Sequence, residues 1–194
     1  MAAAGGVTGE TAATYLALVE SGDQHKASLA EASALWALGD RAGATDAVKD
    51  SLKAMDNAEP ERDTLLLLWA GRAVASGRPG VAKALLDDLV FAPEGQEWRY
   101  KATEAMIDIS EGRTKAGVAR LRALHDDPDV PRQGVEDAMA TACVLTRDPA
   151  VAKEIVQGVE SAAAARCLAE LGIDGPSAAE IAPDGPLKDF LQNR

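Results

Sequence analysis

Aromatic side chains make up only 4% of this 194-residue chain: three Trp, two Tyr and two Phe. An interior of stacked rings is therefore excluded. The core has to come from small residues that let helices approach closely, and hydrophobic types, led by alanine, supply 47% of the sequence. Cations are short as well, with 20 Lys and Arg against 31 Asp and Glu for a net charge of −11. That balance repels phosphate backbones and anionic lipid, so nucleic acid is not an expected partner. No apolar run approaches the roughly 20 residues of a membrane-spanning helix; the longest strongly apolar stretch is Leu65 to Trp69. Residues 1–8 lack the basic and apolar regions of a secretion signal. As written, the chain is expected to be soluble and cytoplasmic. The alternative is an extracytoplasmic domain excised from a membrane-anchored protein.

Residues that carry chemistry are equally sparse. Cys143 and Cys167 are the only cysteines, in apolar helical contexts and outside any CxxC pair, and they read as two unpaired small residues of the core. His25 and His125 have no second His or Cys at metal-ligand spacing. His125 reads as a side chain placed at a helix C-terminus by the dipole. The acidic cluster Asp126, Asp127 and Asp129 lacks the glycine and terminal Glu of an EF-hand loop. Phosphate-binding, nucleophile-elbow and zincin motifs are missing too. The expectation is no catalysis, no cofactor and no metal.

What the sequence does contain is a four-fold internal echo. Segments starting at Ala32, Ala70, Ala105 and Ala140 each place an apolar residue four positions on, at Trp36, Val74, Ile109 and Val144. Each then reaches a helix stop, at Gly39, Gly77, Gly112 and Arg147, and a small residue returns five positions later, at Ala44, Ala82, Gly117 and Ala152. The stops lie 38, 35 and 35 residues apart, the period of arrays built from stacked helix pairs.

Periodicity and breakers divide the chain accordingly. A flexible segment 1–9 precedes a helical domain 10–171, and a Gly/Pro-rich tail 172–194 ends in a short helix over 187–191. Helices are expected over 10–20, 24–38, 41–55, 62–76, 79–91, 97–111, 115–125 and 133–145. A last one starts at Pro149 behind the Asp148 cap and carries Val151, Ile155, Val159, Ala162 and Cys167 on one stripe. Gly158 inside that helix marks a place for a kink or break. No run alternates with period two, so strands are not expected.

The Ala-x6-Gly spacing, with a small residue five after the Gly, resembles the tetratricopeptide repeat. Pro93 and Pro128, each 16 residues after their Gly, sit near where that family's repeat-ending proline falls. The match is degenerate, for the family's aromatic positions are mostly empty and Arg147 replaces a turn glycine. Over residues 11–146 the chain also resembles bacterial tetratricopeptide-like proteins of the YfgM type, ancillary to the Sec translocon. The stretches carrying this likeness are Trp98-Arg99-Tyr100-Lys101-Ala102-Thr103-Glu104, Gly112-Arg113 and Asp127-Pro128-Asp129-Val130-Pro131. That family carries an N-terminal anchor and displays its repeats to chaperones and translocating clients, whereas no anchor is present here.

The resemblance implies an all-α, right-handed α-solenoid of about four antiparallel helix pairs, with the first helix of each pair lining a concave groove. Groove positions then fall at Lys26, Leu29, Ser33 and Trp36 in the first pair, and at Leu67, Gly71 and Val74 in the second. The third pair contributes Arg99, Ala102, Met106 and Ile109, and the fourth Asp137 and Thr141. This mixture of apolar anchors and charges suits a polypeptide ligand. The function expected is a non-catalytic adaptor that binds a protein or peptide, in a chaperone or translocon setting. The alternatives are a self-associating structural repeat protein and a small-molecule sensor or hydrolase on the same helices.

Overall fold

The computed structural model describes residues 24–56 and 59–173. The expected helix over 10–20 and the tail helix over 187–191 lie outside them. The described residues are helical, with no strand. The helices are α1 Gln24–Leu38, α2 Arg41–Ala54, α3 Pro60–Ala75, α4 Pro79–Asp87, α5 Glu97–Ser110, α6 Thr114–His125, α7 Arg132–Thr146, α8 Pro149–Val156 and α9 Ala162–Glu170.

Local chemistry sets most of these boundaries. Asp40 caps α2 by accepting from Gly43 N, Asp148 caps α8 by accepting from Ala150 N and Val151 N, and Ser161 caps α9 by accepting from Ala164 N. Pro60, Pro79 and Pro149 open α3, α4 and α8, where a missing N–H leaves nothing unpaired. Two of the stops close in the same way. After α3, Arg78 N donates to Ala73 O and Gly77 N to Val74 O; after α5, Arg113 N donates to Asp108 O and Gly112 N to Ile109 O. This closure needs a left-handed residue, supplied by Gly77 at φ 75° and Gly112 at φ 85°. In the fourth turn Arg147 takes that conformation at φ 52°, and it is the one non-glycine with positive φ among the described residues.

The small residues of the echo are buried. Ala32, Ala70 and Ala105 are fully enclosed and Ala140 nearly so, as are Ala44, Ala82 and Ala152. They sit in the seams between α1 and α2, α3 and α4, α5 and α6, and α7 and α8, each of which pack directly. Gly117 fills the equivalent place on α6, where a Cβ would lie 2.5 Å from Ala105 O and 2.6 Å from Ile109 Cγ1. Those two helices meet at a distance that alanine would already violate. A second set of contacts joins α3 to α5 and α5 to α7. Trp36 of α1 meets Trp69 of α3 edge-to-face, with centroids 5.8 Å apart.

Side chains of arginine tie neighbours together at carbonyls. Arg78 reaches Ala42 O and lies 3.6 Å from Asp46 on α2. Arg62 of α3 donates to Asp88 O beyond α4, and Arg122 of α6 donates to the carbonyls of Glu154 and Gln157 at the end of α8. Between α5 and α6, the buried Asp108 receives Arg113 at 2.6 Å and Arg120 at 3.1 Å.

Four expectations need correction. The partner helix over 79–91 ends at Asp87, because two consecutive acids, Asp87 and Asp88, stand at its negative end. The chain then leaves Val90 and Phe91 exposed, Phe91 at 78%. The last helix is two: Gly158 takes φ 76°, residues 157–161 break the run, and Ser161 starts α9 afresh. Val144, the fourth member of the apolar echo, is 53% exposed: α9 packs on α7 but leaves this side chain open between two cavities. Finally, Cys143 and Cys167 are buried as expected but not unpaired. They form a disulfide that joins α7 to α9 across 24 residues of sequence.

Candidate functional site

The first helices present an open groove of about 420 Å³. Trp36 of α1, Leu67 and Gly71 of α3, Arg99, Ala102 and Met106 of α5, and Asp137 and Thr141 of α7 all line it. Four separate helices thus bring eight of the expected positions to one surface. Leu29 packs half-buried against the core and Ser33 is exposed, and neither lines the groove. The side chain of Lys26 lies outside the described residues. Val74 and Ile109 are enclosed core residues, because on their helices the turn toward α4 and α6 takes precedence over the groove face.

The groove floor is made by small residues. Gly71, Ala75, Ala102 and Ala138 leave backbone close to the surface, and a Cβ on Gly71 would meet only Thr103 Oγ1, at 3.8 Å. Thr103 itself is buried and donates its hydroxyl to Arg99 O, so it presents no spare donor. At the rim, Trp98 of α5 lies against Gly134 of α7, where a Cβ would come within 2.3 Å of Trp98 Cη2. That glycine makes room for the outer edge of the indole against the next helix. Beside it a further hollow of about 530 Å³ extends the groove past Gln96, Pro131 and Gln133.

Each of the three tryptophans of the chain has a guanidinium over its ring, Trp36 and Trp98 in the groove lining and Trp69 buried against Trp36. Arg72 stands 4.5 Å from the Trp69 centroid and 5.5 Å from that of Trp36, Arg41 is 4.9 Å from Trp36, and Arg99 is 5.2 Å from Trp98. Each such contact contributes about 0.5–2 kcal/mol, depending on how far water is excluded. Burial lowers the pKa of Arg72 from its ordinary value, yet a guanidinium remains charged at any physiological pH. Among the described residues, no carboxylate pairs with Arg41, Arg72 or Arg99. The rings hold these cations in place without neutralising them. One acid, Asp137, shares the lining, and its side chain is likewise unpaired among the described residues.

The sequence reading missed Leu68, Arg72, Trp98 and Gly134. Their signal was present in the helical period. Trp98, Ala102 and Met106 form an i, i+4, i+8 stripe, and Leu68, Arg72 and Ala75 form a second stripe beside Leu67 and Gly71. Extending each stripe by one turn would have found them.

His125 lies at the end of α6, its side chain largely buried, with Asp126 and Glu136 each 3.6 Å from a ring nitrogen. Glu136 also accepts from Arg132 at 2.9 Å. Among the described residues, no three metal-ligating side chains come together, and no helix is long and apolar enough to cross a membrane. Comparison with models of known protein families, with curated proteins and with solved structures returned no match.

Proposed function

We propose that this protein is a non-catalytic interaction scaffold, a right-handed α-solenoid of about four antiparallel helix pairs of the tetratricopeptide type, which holds a segment of another polypeptide in its groove. The observation that carries this reading is the convergence of α1, α3, α5 and α7 on one small-residue floor, flanked by arginines that have no acid partner among the described residues. A floor of Gly and Ala lets an extended backbone come close, the aromatic rim offers apolar area, and Arg72 and Arg99 select for negative charge. In a chain of net charge −11, such an unpaired cationic lining is the local exception, and it directs an acidic segment to this face. Nucleic acid is not part of the proposal.

The compartment follows from a different feature. A buried disulfide between α7 and α9 supports an oxidising, extracytoplasmic setting, since cytosolic thiols are kept reduced. That favours the anchored or exported alternative over a cytoplasmic one, and it agrees with a chaperone- or translocon-associated role.

Gly71→Leu tests the groove, because a Cβ there meets only Thr103 Oγ1, in ordinary contact at 3.8 Å, and the position lines the groove. Peptides selected from a displayed library on the wild-type protein should lose binding to Gly71→Leu and weaken with Arg99→Glu, while thermal unfolding stays within a few degrees. Selected peptides that bind all three proteins equally would place the interaction elsewhere.

A further inference from the structure

A second cavity, of about 560 Å³, opens at the turn end of the first helices and shares only Ala75 with the groove lining. Its walls are Arg41, Ala75, Ser76, Gly77, Pro79, Ser110, Val144, Leu145 and Arg147. Two arginines line this space and no carboxylate does; the guanidinium of Arg41 also lies 4.9 Å from the Trp36 centroid. Arg41 and Arg147 are exposed, and neither makes an ion pair or a side-chain hydrogen bond among the described residues. Both serines are occupied, with Ser76 Oγ donating to Arg72 O at 2.7 Å and Ser110 Oγ to Met106 O at 2.9 Å. The arginines are therefore the donors left for a ligand.

The fourth turn sharpens the argument. Where the other repeats place glycine, Arg147 adopts the left-handed region at φ 52°, a conformation that disfavours any residue with a Cβ. That unfavourable backbone sets a cation beside the cavity that Arg41 already lines. Placing two like charges on one unneutralised cavity is disfavoured in the empty state and favoured once an anion sits between them. Helix ends of both signs meet here, the C-termini of α3, α5 and α7 and the N-termini of α2 and α4, so the attraction for an anion rests on the two arginines rather than on the dipoles.

We propose that this cavity binds a phosphate monoester, with Arg41 and Arg147 clamping the phosphoryl oxygens and Ala75, Pro79, Val144 and Leu145 receiving a small apolar ester group. Two guanidinium charges match a dianion, whereas a lone carboxylate leaves one unbalanced. The volume exceeds what inorganic phosphate fills and falls in the range of small-molecule sites. The site stands whether or not the neighbouring groove holds a polypeptide.

Titration calorimetry of the full chain against phenyl phosphate, inorganic phosphate and benzoate tests the assignment at low ionic strength. Phenyl phosphate should bind most tightly, inorganic phosphate more weakly and benzoate weakest. Arg147→Gly, which restores the glycine of the other turns and so keeps the fold, should weaken phenyl phosphate about tenfold or more. Arg147→Lys should recover part of that loss, and Lys115→Gln, exposed on α6 and outside both cavities, should leave it unchanged. Absence of wild-type binding, equal binding of benzoate, or unaltered affinity in Arg147→Gly would overturn the proposal. Because no peptide enters this assay, its outcome is independent of the groove experiment.

Discussion

Reducing the Cys143–Cys167 disulfide should destabilise the protein by an amount that the chain's geometry fixes in advance. The bond closes a loop with a sequence separation of 24. Chain-entropy arithmetic for a loop of that length gives about 3.5 kcal/mol at 25 °C. For a chain of this size, each kcal/mol moves the midpoint of thermal unfolding by roughly 2–4 °C, so the full effect is about 10 °C. The loss falls on α9, whose buried Ala164, Ala165 and Cys167 make its packed face. The assay is paired thermal and urea unfolding of oxidised protein and of protein reduced under native conditions, with intact mass confirming the two-dalton difference. Cys143→Ala/Cys167→Ala then separates the cross-link from the thiols, and it should resemble the reduced protein. A shift below about 2 °C, or an oxidised sample that cannot be obtained, would refute the staple and with it the argument for an oxidising compartment.

Gly117→Ala should cost about 1–3 kcal/mol in urea unfolding, since its Cβ would lie 2.5 Å from a backbone oxygen that cannot step aside. Gly71→Ala, on an open helix surface, should instead stabilise by up to about 1 kcal/mol; a loss there would contradict the groove geometry. Gly134→Ala should displace the Trp98 indole, visible as a change in tryptophan emission with little loss of helicity by circular dichroism. Asp108→Ala should destabilise by about 2–3 kcal/mol, because it removes the buried acceptor shared by Arg113 and Arg120. An equal loss on combining Asp108→Ala with Arg113→Ala and Arg120→Ala would be expected, and additive losses would show that the three side chains act separately.

Much of the site was legible from spacing because a helix repeats its faces every three to four residues. Trp36, Leu67, Gly71, Arg99, Ala102, Met106, Asp137 and Thr141 were placed on one surface from repeat register alone, and they line one groove. Val74 and Ile109 occupy the same register and are core. Which neighbour covers a helix face decides that difference, and this is a property of the stack rather than of the helix. Arg72 shows the same limit. Its stripe on α3 is readable from the helical period, but its place over Trp69 and Trp36 depends on two helices meeting.

The sequence by itself determined the turns, the seams and most helix boundaries. Capping side chains, prolines and left-handed glycines act within five or six residues, so their consequences are written locally. It left open what happens where distant segments touch. That Cys143 and Cys167 lie 6.3 Å apart between Cα atoms and that Arg41 and Arg147 line one cavity were decided only by tertiary packing. Proximity across the stack depends on how each helix seats on the next, and a one-dimensional pattern does not carry that distance.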